Sequence, residues 1–416
     1  MARIHAYQIL NQYFLDNSYL NLVLNECLKN SHLSRQDKDL CTTIVYGTIQ
    51  NLLYLEYQLE PYIQNKKVKR KIKTLLLMSL YQFIYLDKIP EYAVINEAVE
   101  IVKKESYSTS RFVNAVLRNF KRHSLRTLEG LDEDQKLSIE TSHPLWMIKM
   151  LNKQYGKDIT KKICYEDNTV PSRCARVNTL KTTKEKLLED KLFKEGNLSP
   201  YALLYQKGNI AHTKYFQKGM ITIQDESSQL VAPLLAPKEN EYVLDMCGAP
   251  GSKTTHLAQL MNNTGMIEVY DLYEHKIKLI ENNCQRLKVT NVRAHQYDAL
   301  HLDEIYEKET FDRILLDAPC SGLGVLKRKP EIKYHDSSVM DELIPIQIKL
   351  LEKAYYLLKN NGTMVYSTCT INKKENDYMI DKFIEKYPDI HIVSKRTILN
   401  FEYHTDGFFM CKMKKG

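Results

Sequence analysis

The chain has 416 residues, 44% of them apolar and 26% charged, and a formal net charge of +8 at pH 7. At ~150 residues per domain this length gives two or three domains, and the composition excludes disordered and collagen-like chains. A mean hydropathy of -0.41 excludes a polytopic membrane protein.

The N-terminal Met1–Leu10 lacks the apolar core of a secretory signal, so the expected compartment is the cytoplasm. The longest apolar-looking stretch, Thr74 to Leu86, holds Ser79 and Gln82 and falls short of the ~20 apolar residues of a membrane span. None of the nine cysteines forms a C-x-x-C pair; the nearest two are Cys164 and Cys174. That spacing argues against a structural zinc site, and no metal is expected. Free, reduced, mostly buried thiols are the natural reading.

Residues 1–129 hold one Gly (Gly47), two Pro (Pro61 and Pro90), and apolar residues at helical spacing, as in Leu20, Val23 and Leu24. Few breakers with this period predict an all-helical domain. Ser34 or Asp37 should cap the helix carrying Ile44 and Val45, and Pro90 should separate two helices. The same stretch has 18 Lys and Arg against 12 Asp and Glu, so +6 of the +8 lies in the first third. Lys66, Lys67, Lys69, Arg70, Lys71 and Lys73 form a cluster that would attract a polyanion by counterion release. A merely solvated helix start is the equal alternative.

Gly130 to Gln135 reads as a loop, and 136–165 as helical again around Trp146 and Leu151. Short β-type runs follow at Ala175–Val177 and Met220–Ile223. Strands then alternate with helices: Tyr242–Met246, Met266–Tyr270, Val292–His295, Arg313–Leu316, Thr363–Tyr366 and Phe408–Lys412. This alternation predicts a doubly wound parallel sheet.

Within it, an apolar strand ends at Asp245 and runs through Met246 into Cys247, Gly248, Ala249, Pro250, Gly251, Ser252 and Lys253, where a helix begins. A strand, a glycine turn and a helix start turn backbone N–H groups toward a ligand. Asp271 closes the next strand, near the spacing of a ribose-binding carboxylate. Ser252 stands where a Walker A loop needs Gly, and the glycines are G-x-x-G rather than G-x-G-x-x-G. With phosphate loop and dinucleotide fingerprint both failing, S-adenosylmethionine is the common ligand that remains; a plain packing turn is the alternative. Asp298 follows the third strand and could bond an adenine amino group or cap a helix.

The strand ending at Asp317 leads directly into Ala318, Pro319 and Cys320, and the next strand into Ser367, Thr368 and Cys369. In an open α/β sheet the carboxyl ends of strands face the ligand. Two thiols and a carboxylate should therefore meet there. Cytosine C5 is a poor nucleophile until a thiolate adds to C6, which is work for an activated Cys. A carboxyl at Asp317 could drain charge at N3. Each Cys alone would more often be packing; the conjunction is the specific signal. The residues themselves leave open which thiol attacks, since DNA cytosine-C5 methyltransferases attack from a Pro-Cys like Pro319–Cys320.

These motifs resemble the bacterial 16S rRNA cytosine-C5 methyltransferases of the RsmB (Sun/Fmu) type, within the Nol1/Nop2/Sun family. They are Cys247 to Lys253, Asp317 to Tyr334, Tyr366 to Cys369, and the ending Thr405 to Met410. Arg35–Gly47, Ile95–Val99 and Phe112–Arg118 resemble a NusB-type RNA-binding helical domain, and Arg176–Asn178 with Gln224–Ser228 resemble the family's pre-core segment.

The resemblance implies a NusB-like domain at 1–135, a helical linker at 136–165, a small α+β pre-core unit at 166–236 and a Rossmann-like catalytic core at 237–416. It implies Cys369 as nucleophile, Cys320 as the release residue, Asp317 as the carboxylate near the base, and Lys253 at base or donor. Residues 247–253, Asp271, Asp298 and Asp317 match S-adenosylmethionine contacts, and Lys276 is grouped with them. Lys327, Arg328 and Lys329 would add phosphate contacts to those of the 66–73 cluster. The partner implied is 16S rRNA, bound by a monomer. The chain departs from the family at Gly248 and Ser252, where Ala and Gly are usual; Ser252 must then avoid positive φ. The rival expectations are tRNA as substrate, or a non-catalytic assembly or antitermination factor.

Overall fold

The scarcity of breakers near the N-terminus leaves the chain free to propagate helices. A computed structural model describes residues 1–16, 20–64, 66–104 and 106–416. It forms α1 (Ala2–Asp16), α2 (Leu20–Lys29), α3 (Arg35–Gln50), α4 (Leu52–Ile63), α5 (Arg70–Tyr85), α6 (Glu91–Lys103) and α7 (Tyr107–Arg122). Ser34 is the cap of α3, accepting the Asp37 N–H at 3.1 Å, and Pro90 is the N-cap of α6. In α5 every residue from Thr74 to Gln82 is buried. A helix apolar on all faces is one surrounded by others, so the stretch that looked longest for a membrane is the hub of a helical core. No helix of the described residues is long and apolar enough to cross a membrane.

Three further helices follow, α8 (Glu133–Thr141), α9 (Leu145–Tyr155) and α10 (Lys157–Asp167). The expected loop at 130–135 is thus shorter than read. Asp132 accepts the Gln135 N–H at 2.8 Å while Gln135 accepts the Asp132 N–H at 3.2 Å. That capping box starts α8 inside the anticipated loop.

The chain divides into two units, residues 1–168 with 328–334, and residues 169–327 with 335–416. In the first unit the buried Lys333 ammonium donates to the carbonyls of Gln50 and Thr141, at the ends of α3 and α8, and to Asn168 Oδ1 at 2.8 Å. Helix C-termini carry partial negative charge, which compensates an ammonium that burial pushes down to about 8.

The second unit holds two sheets. Strands β1 (Cys174–Val177), β2 (Phe193–Glu195), β3 (Ala202–Tyr205) and β4 (Ile221–Ile223) make an antiparallel sheet of order β2-β3-β1-β4. The larger sheet contains β5 (Tyr242–Asp245), β6 (Met266–Asp271), β7 (Val292–Gln296), β8 (Phe311–Asp317), β9 (Leu358–Thr368), β10 (Ile390–Ile398) and β11 (Phe408–Lys415). Its order is β10-β11-β9-β8-β5-β6-β7. The expected sheet is present but not wholly parallel: β11 runs antiparallel between β9 and β10.

Helices Ser252–Leu260 and Glu274–Leu287 cover one face through Leu257, Ile277 and Ile280; Ser338–Leu357 and Asp377–Lys386 cover the other through Leu350, Leu351 and Phe383. Chain order reverses between the adjacent strands β5 and β8. Such a switch point opens a crevice at the carboxyl ends of the strands, and both Asp245 and Asp317 are the last residues of those strands.

Candidate active site

At the end of β5, Asp245 is fully buried. Its Oδ2 accepts the Thr254 hydroxyl at 2.7 Å, while its Oδ1 has no protein partner. Burial first, and the charge of Asp317 in addition, push its carboxyl up to about 7 against the Thr254 hydrogen bond. Gly251 caps the following helix at φ +93, a conformation that favours glycine, and Ser252 enters the helix with negative φ as its side chain requires. The departure at Gly248 has a packing counterpart: a Cβ there would lie 2.2 Å from Val269 Cγ2, so the valine methyl occupies that space. The Cys247 thiol is pushed up by burial and by the carboxylates of Asp245, Asp271 and Asp317, which keeps it protonated.

Acidic side chains stand at the ends of successive strands. Asp271 closes β6 and pairs with Lys276 at 3.1 Å. Asp298 follows β7 and accepts the Leu300 N–H at 2.9 Å, so it does cap a short helix. S-adenosyl-L-methionine offers mostly donors: an ammonium, two ribose hydroxyls and an adenine amine. A row of carboxylates with one buried, unpartnered oxygen fits that chemistry, and the absence of a phosphate loop fits a ligand without phosphate.

Asp317 is held from both sides. Its Oδ2 pairs with Lys253 Nζ at 2.6 Å, and its Oδ1 accepts the Ser367 hydroxyl at 2.7 Å. Burial alone would lower the Lys253 pKa, but Asp317, with Cys369 and Asp245 behind it, holds the ammonium above its ordinary value. Lys253 is therefore a standing cation beside Asp317.

Beyond Asp317, Cys320 Sγ lies 3.4 Å from Cys369 Sγ, and both cysteines are half-buried. The hydrogen bond to Cys369 first, then burial and the charges of Cys369 and Glu375, push the Cys320 thiol far up. Gly324 N–H donates to the Cys369 carbonyl at 3.0 Å and Gly407 N–H to the Gly324 carbonyl at 2.7 Å, so two glycine backbones lie against the Cys369 loop.

The expected thiols, carboxylate and lysine thus converge. Sequence reasoning did not single out Asp245, Ser367 or Glu375. Asp245 and Ser367 stand inside motifs already noticed; Glu375, in the polar run Lys373 to Asp377, carries no local signal of burial.

In the first unit Lys66, Lys67, Lys69, Arg70 and Lys71 are exposed, and Lys73 pairs with Glu56 at 2.5 Å. Arg70 donates to the Phe14 carbonyl, and Lys66 lies 5.2 Å from the Phe112 ring centroid. Lys329 is exposed and Arg328 half-buried. Lys327, expected at the surface, is only 6% exposed.

The 16S rRNA methyltransferase RsmB/F family matches residues 232–414, the NusB family 1–122, and a ferredoxin-like domain of RsmF/B-like methyltransferases 143–197. A probable ribosomal RNA small subunit methyltransferase B of Bacillus subtilis is 42% identical, over 96% of this chain and 95% of its own. The Proteus mirabilis ribosomal RNA small subunit methyltransferase B is 31% identical, over 95% and 94%. Among solved structures, PH0851 superposes with a TM-score of 0.85 at 23% identity, covering 100% of this chain and 98% of its own, a likeness of fold. A methyltransferase homologue from Pyrococcus horikoshii gives 0.62 at 29% identity, covering 69% and 100%. The chain belongs to the RsmB/F family of 16S rRNA methyltransferases, enzymes whose methyl donor is S-adenosyl-L-methionine.

Proposed function

We propose that this protein methylates C5 of one cytosine in 16S rRNA through a covalent Cys369–C6 adduct. The observation that carries the reading is the pair of thiols 3.4 Å apart, beside the Asp317–Lys253 ion pair at 2.6 Å, at the carboxyl ends of adjacent strands. S-adenosyl-L-methionine, when bound, supplies an electrophilic methyl group. Asp271 and Asp298, with the 247–253 turn, would hold it.

The target base must leave its stack to reach Cys369. The Cys369 thiolate adds to C6, and the ring electron pair moves to C5. Lys253, a cation already tied to Asp317, hydrogen-bonds the pyrimidine where negative charge builds. Asp317 acts here as the carboxylate that aims Lys253. After C5 is methylated, water accepts H5 as a proton, the C5–H electron pair re-forms the C5–C6 double bond, and the C6–S bond breaks with Cys369 leaving as a thiolate. Cys320, still protonated, donates a hydrogen bond to that departing thiolate.

We assign residues 1–135 to RNA binding, 136–165 to a helical linker, 166–236 to the pre-core unit and 237–416 to catalysis. Arg70, Lys71 and Lys73 lie in the first turn of α5, where cations oppose the helix dipole. A placement unfavourable to the helix supports a role in holding phosphate.

The test is methyl transfer to unmodified 16S rRNA, read by nucleoside mass spectrometry. The account expects 5-methylcytidine at one position. A methyl group on another atom, or on tRNA but not 16S rRNA, would refute the reading; donor binding with no turnover on any RNA would favour an assembly factor.

A further inference from the structure

Glu375 has no exposed surface, and among the described residues no ion pair reaches it. A buried carboxylate without a cation needs several donors to offset its lost hydration. Glu375 has four. Its Oε2 accepts the Ser321 N–H at 2.9 Å and Gln347 Nε2 at 3.0 Å; its Oε1 accepts the Ser321 hydroxyl at 2.5 Å and Asn372 Nδ2 at 3.1 Å.

These donors are distributed around the two thiols. Ser321 directly follows Cys320, and Gln347 Nε2 also reaches the carbonyl of Pro319, just before Cys320, at 2.8 Å. Ser321 Oγ lies 2.9 Å from Thr370 Oγ1, and Thr370 directly follows Cys369. The next residue, Asn376, donates to the Thr370 carbonyl at 2.9 Å. One carboxylate therefore fixes the backbone on both sides of Cys320 and, through Ser321, the backbone beyond Cys369.

We propose that Glu375 is a positioning residue that holds the Cys320 and Cys369 loops in register, so that the two thiols keep the separation in which one can attack and the other assist. This rests on the two-cysteine reading above. Its negative charge is also one of the influences that raise the Cys320 thiol.

The test compares Glu375→Gln and Ser321→Ala with the parent enzyme. Glu375→Gln keeps the shape and removes the charge. A misplacement of about 1 Å costs on the order of 100-fold in rate, so kcat should fall by about that factor while KM for donor and RNA is unchanged. Peptide-resolved alkylation should show Cys320 reacting at lower pH, because a charge that raised its pKa is gone. Ser321→Ala removes the Thr370 link and keeps the charge; it should lower kcat less and leave the Cys320 alkylation profile in place.

A parental kcat, or an unmoved Cys320 profile, in Glu375→Gln overturns the proposal. Should that variant not fold, a parental kcat in Ser321→Ala overturns it. If Cys369→Ala still forms an RNA adduct, the nucleophile assignment falls, while a lowered kcat in Glu375→Gln still supports the clamp.

Discussion

Gly324→Ala places the smallest side chain where the active-site loop has no room. Its Cβ would lie 1.9 Å from the Gly407 carbonyl oxygen and 2.8 Å from that of Cys369, whereas ordinary Cβ contacts are not under 3.0 Å. Both neighbours are backbone, so no side chain can rotate away. One of these loop segments must retreat by about 1 Å, and overpacking of this kind costs about 1–3 kcal/mol. At about 2–4 °C per kcal/mol for a domain of roughly 200 residues, Tm should fall by about 2–12 °C. The same retreat strains the Gly324 N–H to Cys369 carbonyl bond of 3.0 Å, which displaces Cys369. A displacement near 1 Å lowers kcat by on the order of 100-fold, and donor affinity should be untouched. Thermal unfolding, donor titration and single-turnover methyl transfer separate these effects. A variant with parental Tm and parental kcat would show that the Gly324–Gly407 approach does not position Cys369.

Two other perturbations follow from charge. Replacing Lys66, Lys67, Lys69 and Lys71 by Gln should weaken 16S rRNA binding and flatten its salt dependence, by ~0.7 in log–log slope per lost single-strand phosphate contact. Because Lys71 opposes the α5 dipole, the substitution should not lower Tm; an unchanged slope would remove the cluster from the interface. Asp245 has a carboxyl raised to about 7 in the fold, so between about pH 4 and 7 the unfolded chain is deprotonated where the folded one keeps its proton. Stability of the second unit should decline as pH rises through that window, and Asp245→Asn should flatten the decline. An identical pH profile for variant and parent would refute the burial argument.

Much of the site was legible because it is local. The strand ending at Asp245, the glycine turn and the helix from Ser252 lie within a few residues, and Asp317 with Cys320 and Ser367 with Cys369 are each a strand end followed at once by a thiol. The helical N-terminal region was legible from its missing breakers. Other features depended on distance or on polarity. Strand β10 carries an almost wholly exposed run including Lys395 and Arg396, so it lacks the alternating apolar signal of the inner strands. Strands β2 and β3 are only 3 and 4 residues long, too short for a period to show. Glu375 meets partners 54 and 28 residues away at Ser321 and Gln347, and spacing says nothing of such meetings. Lys327 looked like one of three surface cations, and only the fold shows it buried.

The most direct test of the central claim is a denaturing gel of parent, Cys369→Ala and Cys320→Ala proteins incubated with S-adenosyl-L-methionine and unmodified 16S rRNA. The account predicts no adduct and no methyl transfer with Cys369→Ala, and an accumulating protein–RNA adduct with Cys320→Ala, whose sulfur no longer assists release. Adduct from Cys369→Ala together with none from Cys320→Ala would contradict it and assign the attack to Cys320.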